Sequence, residues 1–109
     1  MQNELSPEEL EGLSPNIRET VVFLRKNGFD TSDSGDGTNH ANGMECALPT
    51  PHVFMPVPVK EMVSEADRLL GILSFVKKLP EDFGIEVSYS PLDGVAMLML
   101  FGVTDKDLS

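Results

Sequence analysis

Asp30, Asp33, Asp36 and His40 share one polar stretch of the chain and are the clearest candidates for chemistry. Carboxylate oxygens suit hard divalent cations, and an imidazole adds a borderline donor. Asp30, Ser32, Ser34 and Gly35 match positions one, three, five and six of a calcium-binding EF-hand loop. Ala41 stands at the twelfth, where a bidentate Glu is required, so an EF-hand is excluded. An irregular oxygen-ligand site built on Asp30, Asp33, Asp36 and His40 is the metal reading; no cofactor is expected beyond such a divalent cation. The competing reading makes the same aspartates side-chain-to-backbone turns in water. His40, Cys46 and His52 offer a second donor set, but their spacing is not a zinc pattern. No Ser-His-Asp arrangement and no carboxylate pair over an apolar pocket can be assigned, so a non-enzyme is expected.

A ligand can also be held without metal. Glycines flanking Asp36 allow successive backbone N–H groups to converge on an anion. The candidate ligand-binding set is Asp33, Ser34, Gly35, Asp36, Gly37, Thr38, Asn39 and His40, with His52 beyond the loop. Arg18 and Arg25 lie on the helix leading into it and supply positive charge. Gly35-Asp36-Gly37-Thr38 resembles the Gly-Asp-Gly-Thr element of the lipid-kinase and NAD-kinase families. That element follows strands of a much larger domain, so the short match is read as coincidence.

The elements that must position these residues follow from periodicity. Residues 1–13 read as an N-terminal arm with one helical turn, opened by the capping box Ser6-Pro7-Glu8-Glu9. Ile17, Val21 and Leu24 repeat at helical spacing and predict a helix over 15–27. Gly28 is its left-handed cap, with Phe29 folding back over the last turn. Residues 30–51 read as a polar loop. Residues 52–57 are rich in strand formers, but Pro56 cannot donate to a ladder, so this strand is expected at an edge. A second helix is predicted over 59–78, with Gly71 a mid-helix cost of about 1 kcal/mol. Ile85 to Ser90 alternate, which predicts a strand with one buried and one wet face. Pro91-Leu92-Asp93-Gly94 is a turn with φ > 0 at Gly94. Val95 to Phe101 are apolar throughout, which predicts a central strand covered on both faces.

These elements give an α+β fold: two helices packed on a small three-stranded antiparallel sheet of order 1-3-2. The other sheet face is expected to be covered by a second subunit. Residues 14–103 form the domain and 104–109 a C-terminal tail.

Composition narrows the partners. The 109 residues carry 18 acids against 8 bases, for a net charge of -10. Without a basic stripe, direct nucleic-acid binding is not expected. The single cysteine, Cys46, rules out an internal disulfide and fits a reducing compartment. No apolar run approaches the length of a membrane span, and the first residues do not read as a signal peptide. A cytoplasmic protein is therefore expected.

The stretch Gly28 to Gly37, with Pro51-His52-Val53, Glu65-Ala66-Asp67-Arg68-Leu69 and Gly94-Val95-Ala96, resembles a class of small uncharacterised phage and prophage proteins. The resemblance covers about residues 14–103 and rests on the Asp-Ser-Gly-Asp-Gly loop and the hydrophobic layout. It implies a setting, a phage accessory protein in the cytoplasm of a bacterial host, and carries over no functional residue. In that setting the expected function is binding of a small polar ligand through residues 30–52, with sequestration of a nucleotide immune signal as one form. The alternatives are an acidic inhibitor or DNA mimic docking on a host protein, and a divalent-metal-binding protein.

Overall fold

The computed structural model describes residues 6–37, 49–74, 76, 79–81, 83–90 and 92–108. Its helices are α1 (Pro7–Glu11), α2 (Arg18–Lys26) and α3 (Met62–Leu73), and its strands are β1 (Asp33–Gly35), β2 (His52–Pro58), β3 (Gly84–Ser90) and β4 (Val95–Phe101). The sheet is antiparallel throughout, in the order β1-β2-β4-β3.

Four strands form where the sequence predicts three. The extra strand, β1, lies inside the stretch read as loop and pairs Asp33, Ser34 and Gly35 with Phe54, Val53 and His52. Its residues are turn formers, so nothing in their side chains predicts extended structure. Main-chain pairing with β2 draws them into extended form. The remaining order, β2-β4-β3, is the predicted one, with the apolar strand at its centre.

β2 is consequently not an edge over its whole length. The Phe54 carbonyl accepts from Ser32 N–H at 2.9 Å, so alternate residues His52, Phe54 and Pro56 turn their main-chain groups toward β1. β1 ends its pairing at Phe54. Pro56 therefore lies beyond β1, where no ladder bond is asked of it.

One sheet face carries the core. Val53, Met55 and Val57 of β2 stand opposite Leu100, Leu98 and Ala96 of β4. All six are buried and cluster with Ile17, Val21 and Leu24 around α2 and Leu69 and Leu73 of α3. Both helices thus cover the same face. On the other face Phe54, Met97, Met99 and Phe101 are only half-buried, so β4 is fully enclosed on one side. β3 departs from its predicted alternation. Val87 and Tyr89 share the core face with Leu98 and Ala96, yet remain 40% and 54% exposed. β3 is the outermost strand, and the helices bury only the core beyond it.

The helix boundaries shift for local reasons. α2 starts at Arg18 rather than residue 15, because Ser14 to Ile17 close a turn through Ile17 N–H to the Ser14 carbonyl. Its N-cap position holds Ile17, which has no side-chain acceptor. The missing acceptor comes from far along the chain: Asp105 Oδ1 accepts from the N–H and Oγ1 of Thr20, at 2.8 and 2.9 Å. Residues 105–107, expected in a tail, form a 3₁₀ turn, and Val103 beside it is in the core.

The C-terminus of α2 ends as predicted. Gly28 has φ 88° and donates to the Arg25 carbonyl, while Phe29 donates to Leu24 and buries its ring. α3 is preceded by a 3₁₀ turn, Val59–Glu61, and stops at Leu73, short of residue 78. A methyl placed on Gly71 would meet nothing within 4 Å among the described residues, none of which therefore requires glycine there. Among the described residues, no helix is long and apolar enough to cross a membrane.

Candidate functional site

The polar residues singled out in the sequence divide between two clefts. The first, of about 290 Å³, lies between the α1–α2 junction and the approach to β1. Glu9, Arg25, Thr31, Ser32, Asp33 and Ser34 line it. Arg25 projects from the last turn of α2, where a cation also favours the helix dipole. Its Nη1 donates to Thr31 Oγ1 at 3.3 Å. Its Nε is buried and has no hydrogen-bond partner among the described residues. Asp33 turns one carboxylate oxygen onto the N–H of Ser34 at 2.9 Å, the side-chain-to-backbone use expected of aspartate in a turn. Ser32 Oγ donates to the Phe54 carbonyl and fixes the start of β1.

The second cleft, of about 370 Å³, lies between the end of β1 and the 3₁₀ turn 105–107. Asp36 is 5% exposed, and its Oδ2 accepts from the N–H and Nδ2 of Asn16, at 3.4 and 3.3 Å. Asp36 thereby ties the residue after β1 to the turn before α2. Gly37 follows with φ 81°, and a Cβ there would sit 2.7 Å from the Pro49 carbonyl oxygen. Both the dihedral and the contact demand glycine.

Other predicted residues lie apart from these clefts or serve the fold. Arg18 donates to the Leu13 and Glu11 carbonyls at 3.2 and 3.4 Å, sealing the end of α1. His52 is buried, its ring 5.1 Å from that of Phe54. Its Nδ1 lies 3.0 Å from the Thr50 carbonyl, which can only accept, so the proton sits on Nδ1. Gly35 is buried in β1 opposite His52. Asp30 is exposed. Thr38, Asn39, His40 and Cys46 lie outside the described residues. Among the described residues, no group of three His, Cys, Asp or Glu side chains is placed to hold a metal. Asp33 is engaged with Ser34 and Asp36 with Asn16.

The structure thus gathers Arg25, Asp33 and Ser34, and sets Asp36 and Arg18 elsewhere. It adds Glu9, Thr31 and Ser32, which sequence reasoning did not assign. Glu9 carries only a capping signal in the sequence, and that signal says nothing about where α1 docks.

Comparison with known proteins returned no matching family model, no similar curated protein and no similar solved structure.

Proposed function

We propose that this chain is a non-enzymatic binding module for a small polar ligand carrying one anionic group, held in the Arg25 cleft. The observation that carries this reading is Arg25, which lines the cleft and whose buried Nε–H has no acceptor among the described residues. An unsatisfied buried donor is costly, and a charged one more so. A phosphate or carboxylate in the cleft would satisfy it once a shift of the Arg25 side chain exposes the Nε edge, because the guanidinium fork matches such groups. Thr31, Ser32 and Ser34 add hydroxyls, which both donate and accept. Glu9 and Asp33 are acceptors, suited to the hydroxyl or amino groups of the same ligand. One anionic end and several donor groups describe a mononucleotide. In a phage setting this would be a nucleotide signal that is held, not cleaved.

The test is thermal denaturation with a panel of linear and cyclic nucleotides and sugar phosphates. A ligand at a hundred times its Kd adds about 2.7 kcal/mol to the native state. Arg25→Gln should remove that gain while leaving the unliganded midpoint near its original value. A panel in which no member shifts the midpoint defeats the reading.

A second reading rests on the net charge of -10. Such a surface steers association with a basic protein, as an inhibitor or DNA mimic of a host factor would require. Affinity for that partner should fall steeply as salt rises. Capture insensitive to salt counts against it.

A further inference from the structure

We infer that the free edge of β3 pairs with the same edge of a second copy, about a two-fold axis at Val87. The inference starts from the phase of the ladder. Gly102 N–H donates to the Pro51 carbonyl at 2.9 Å, which directs Leu100, Leu98 and Ala96 toward β2. Phe101, Met99, Met97 and Val95 therefore bond toward β3, to Gly84, Glu86, Ser88 and Ser90. The main-chain N–H and C=O groups of Ile85, Val87 and Tyr89 point away from the sheet. Among the described residues no strand lies on that side.

Natural edges of this kind are usually guarded by Lys, Pro, a bulge or short length. β3 has none of these. It pairs with β4 in unbroken register over Gly84 to Ser90, and its sole charge, Glu86, lies on the opposite face from Val87.

The apolar surface collects at the same place. Val63 of α3 is 68% exposed and lies beside exposed Val87 and Tyr89. An apolar groove of about 340 Å³ runs between α3 and β3, lined by Met62, Val63, Ala66, Asp67, Val87 and Tyr89. Phe54, Met97, Met99 and Phe101 on the outer face are better covered, so exposure favours the β3 edge over the sheet face as the contact between copies.

The register selects a second copy as the occupant. An antiparallel pair centred on Val87 sets Val87 against its own symmetry mate and Ile85 against the mate's Tyr89. Every outward N–H and C=O then has a partner. Ile85 against Tyr89 is a favourable β-branched–aromatic pair, and Glu86 faces the mate's Ser88. Centring one residue earlier would bring Glu86 against Glu86, a repulsive pair, and would leave Tyr89 without a mate. The strand is thus self-complementary in the register centred on Val87, which pairs all three outward residues, as an isologous contact requires.

Sedimentation velocity on the full chain, from low to high micromolar, tests this. The native chain should form a dimer that tightens with added salt, since each copy carries -10. Val87→Lys places like charges against each other and should weaken the dimer roughly tenfold or more. Glu86→Lys should leave it within roughly threefold, because Ser88 stands opposite. A second readout needs no variant: amide exchange at Ile85, Val87 and Tyr89 should slow as concentration rises. A chain that stays monomeric overturns the inference. So does a dimer that survives Val87→Lys and is lost in Met99→Glu, or one whose β3 amides exchange equally fast at every concentration.

Discussion

The guanidinium carbon of Arg68 lies over the Phe29 ring, 3.8 Å from its centroid. The same group donates to the Asn27 carbonyl, the capping residue of α2, and pairs with Glu65 one turn earlier on α3. One side chain thus joins the end of α2 to α3 by a cation–π contact and by charge-assisted hydrogen bonding.

Removing it should loosen that junction. Arg68→Ala is expected to lower stability by about 1.5–2.5 kcal/mol, combining a cation–π contact with a charged hydrogen bond. Arg68→Lys should recover less than half of the loss, because an ammonium neither stacks nor forks. Urea denaturation of the three proteins measures both effects.

Asp105 supplies the cap that Ile17 lacks. Asp105→Ala should cost about 1–2 kcal/mol, and Asp105→Asn less, since an amide oxygen still accepts from Thr20. Denaturation midpoints and the far-ultraviolet dichroism of α2 report the change. Equal losses in the two variants would mean that charge, not the acceptor, matters at this end.

Two left-handed glycines should respond differently to a methyl group. Gly94 has φ 68° and open space around it, so Gly94→Ala should cost about 1–2 kcal/mol from the dihedral alone. Gly37 has the same dihedral problem and also meets the Pro49 backbone at 2.7 Å. Gly37→Ala should cost roughly 1 kcal/mol more than Gly94→Ala, because backbone must move. Equal midpoints for the two variants would refute this.

Gly71 makes the opposite prediction. Its helix position is costly, and a methyl there would meet nothing within 4 Å among the described residues. Gly71→Ala should stabilise the chain by about 0.5–1 kcal/mol. A destabilised variant would show that some packing neighbour approaches this position after all.

Much of this architecture was legible in side-chain periodicity. Ile17, Val21 and Leu24 pack against the sheet as their spacing predicts. Gly28 and Phe29 end α2 as their types require, and the apolar run of β4 marks the centre of the three strands that were foreseen. β1 was not legible, because Asp33, Ser34 and Gly35 are turn formers and gain their extended form only from the main chain of β2. The cap of α2 was hidden for a related reason: Ser14 and Pro15 advertise a local start, while the acceptor comes from a distant residue. Arg25, Asp33 and Ser34 carry a ligand-contact signal in the sequence, and Glu9 and Thr31 do not. Their meeting depends on how α1 and the approach to β1 dock around α2, which no local pattern encodes.

The bond between Thr20 and Asp105 spans 85 positions. A ribosome releases residue 20 long before residue 105, so α2 emerges with its first turn open and stays so while the intervening chain is made. The helix that leads into the Arg25 cleft is secured last. Premature termination before residue 105 would therefore yield a chain with every strand present and its first long helix still fraying.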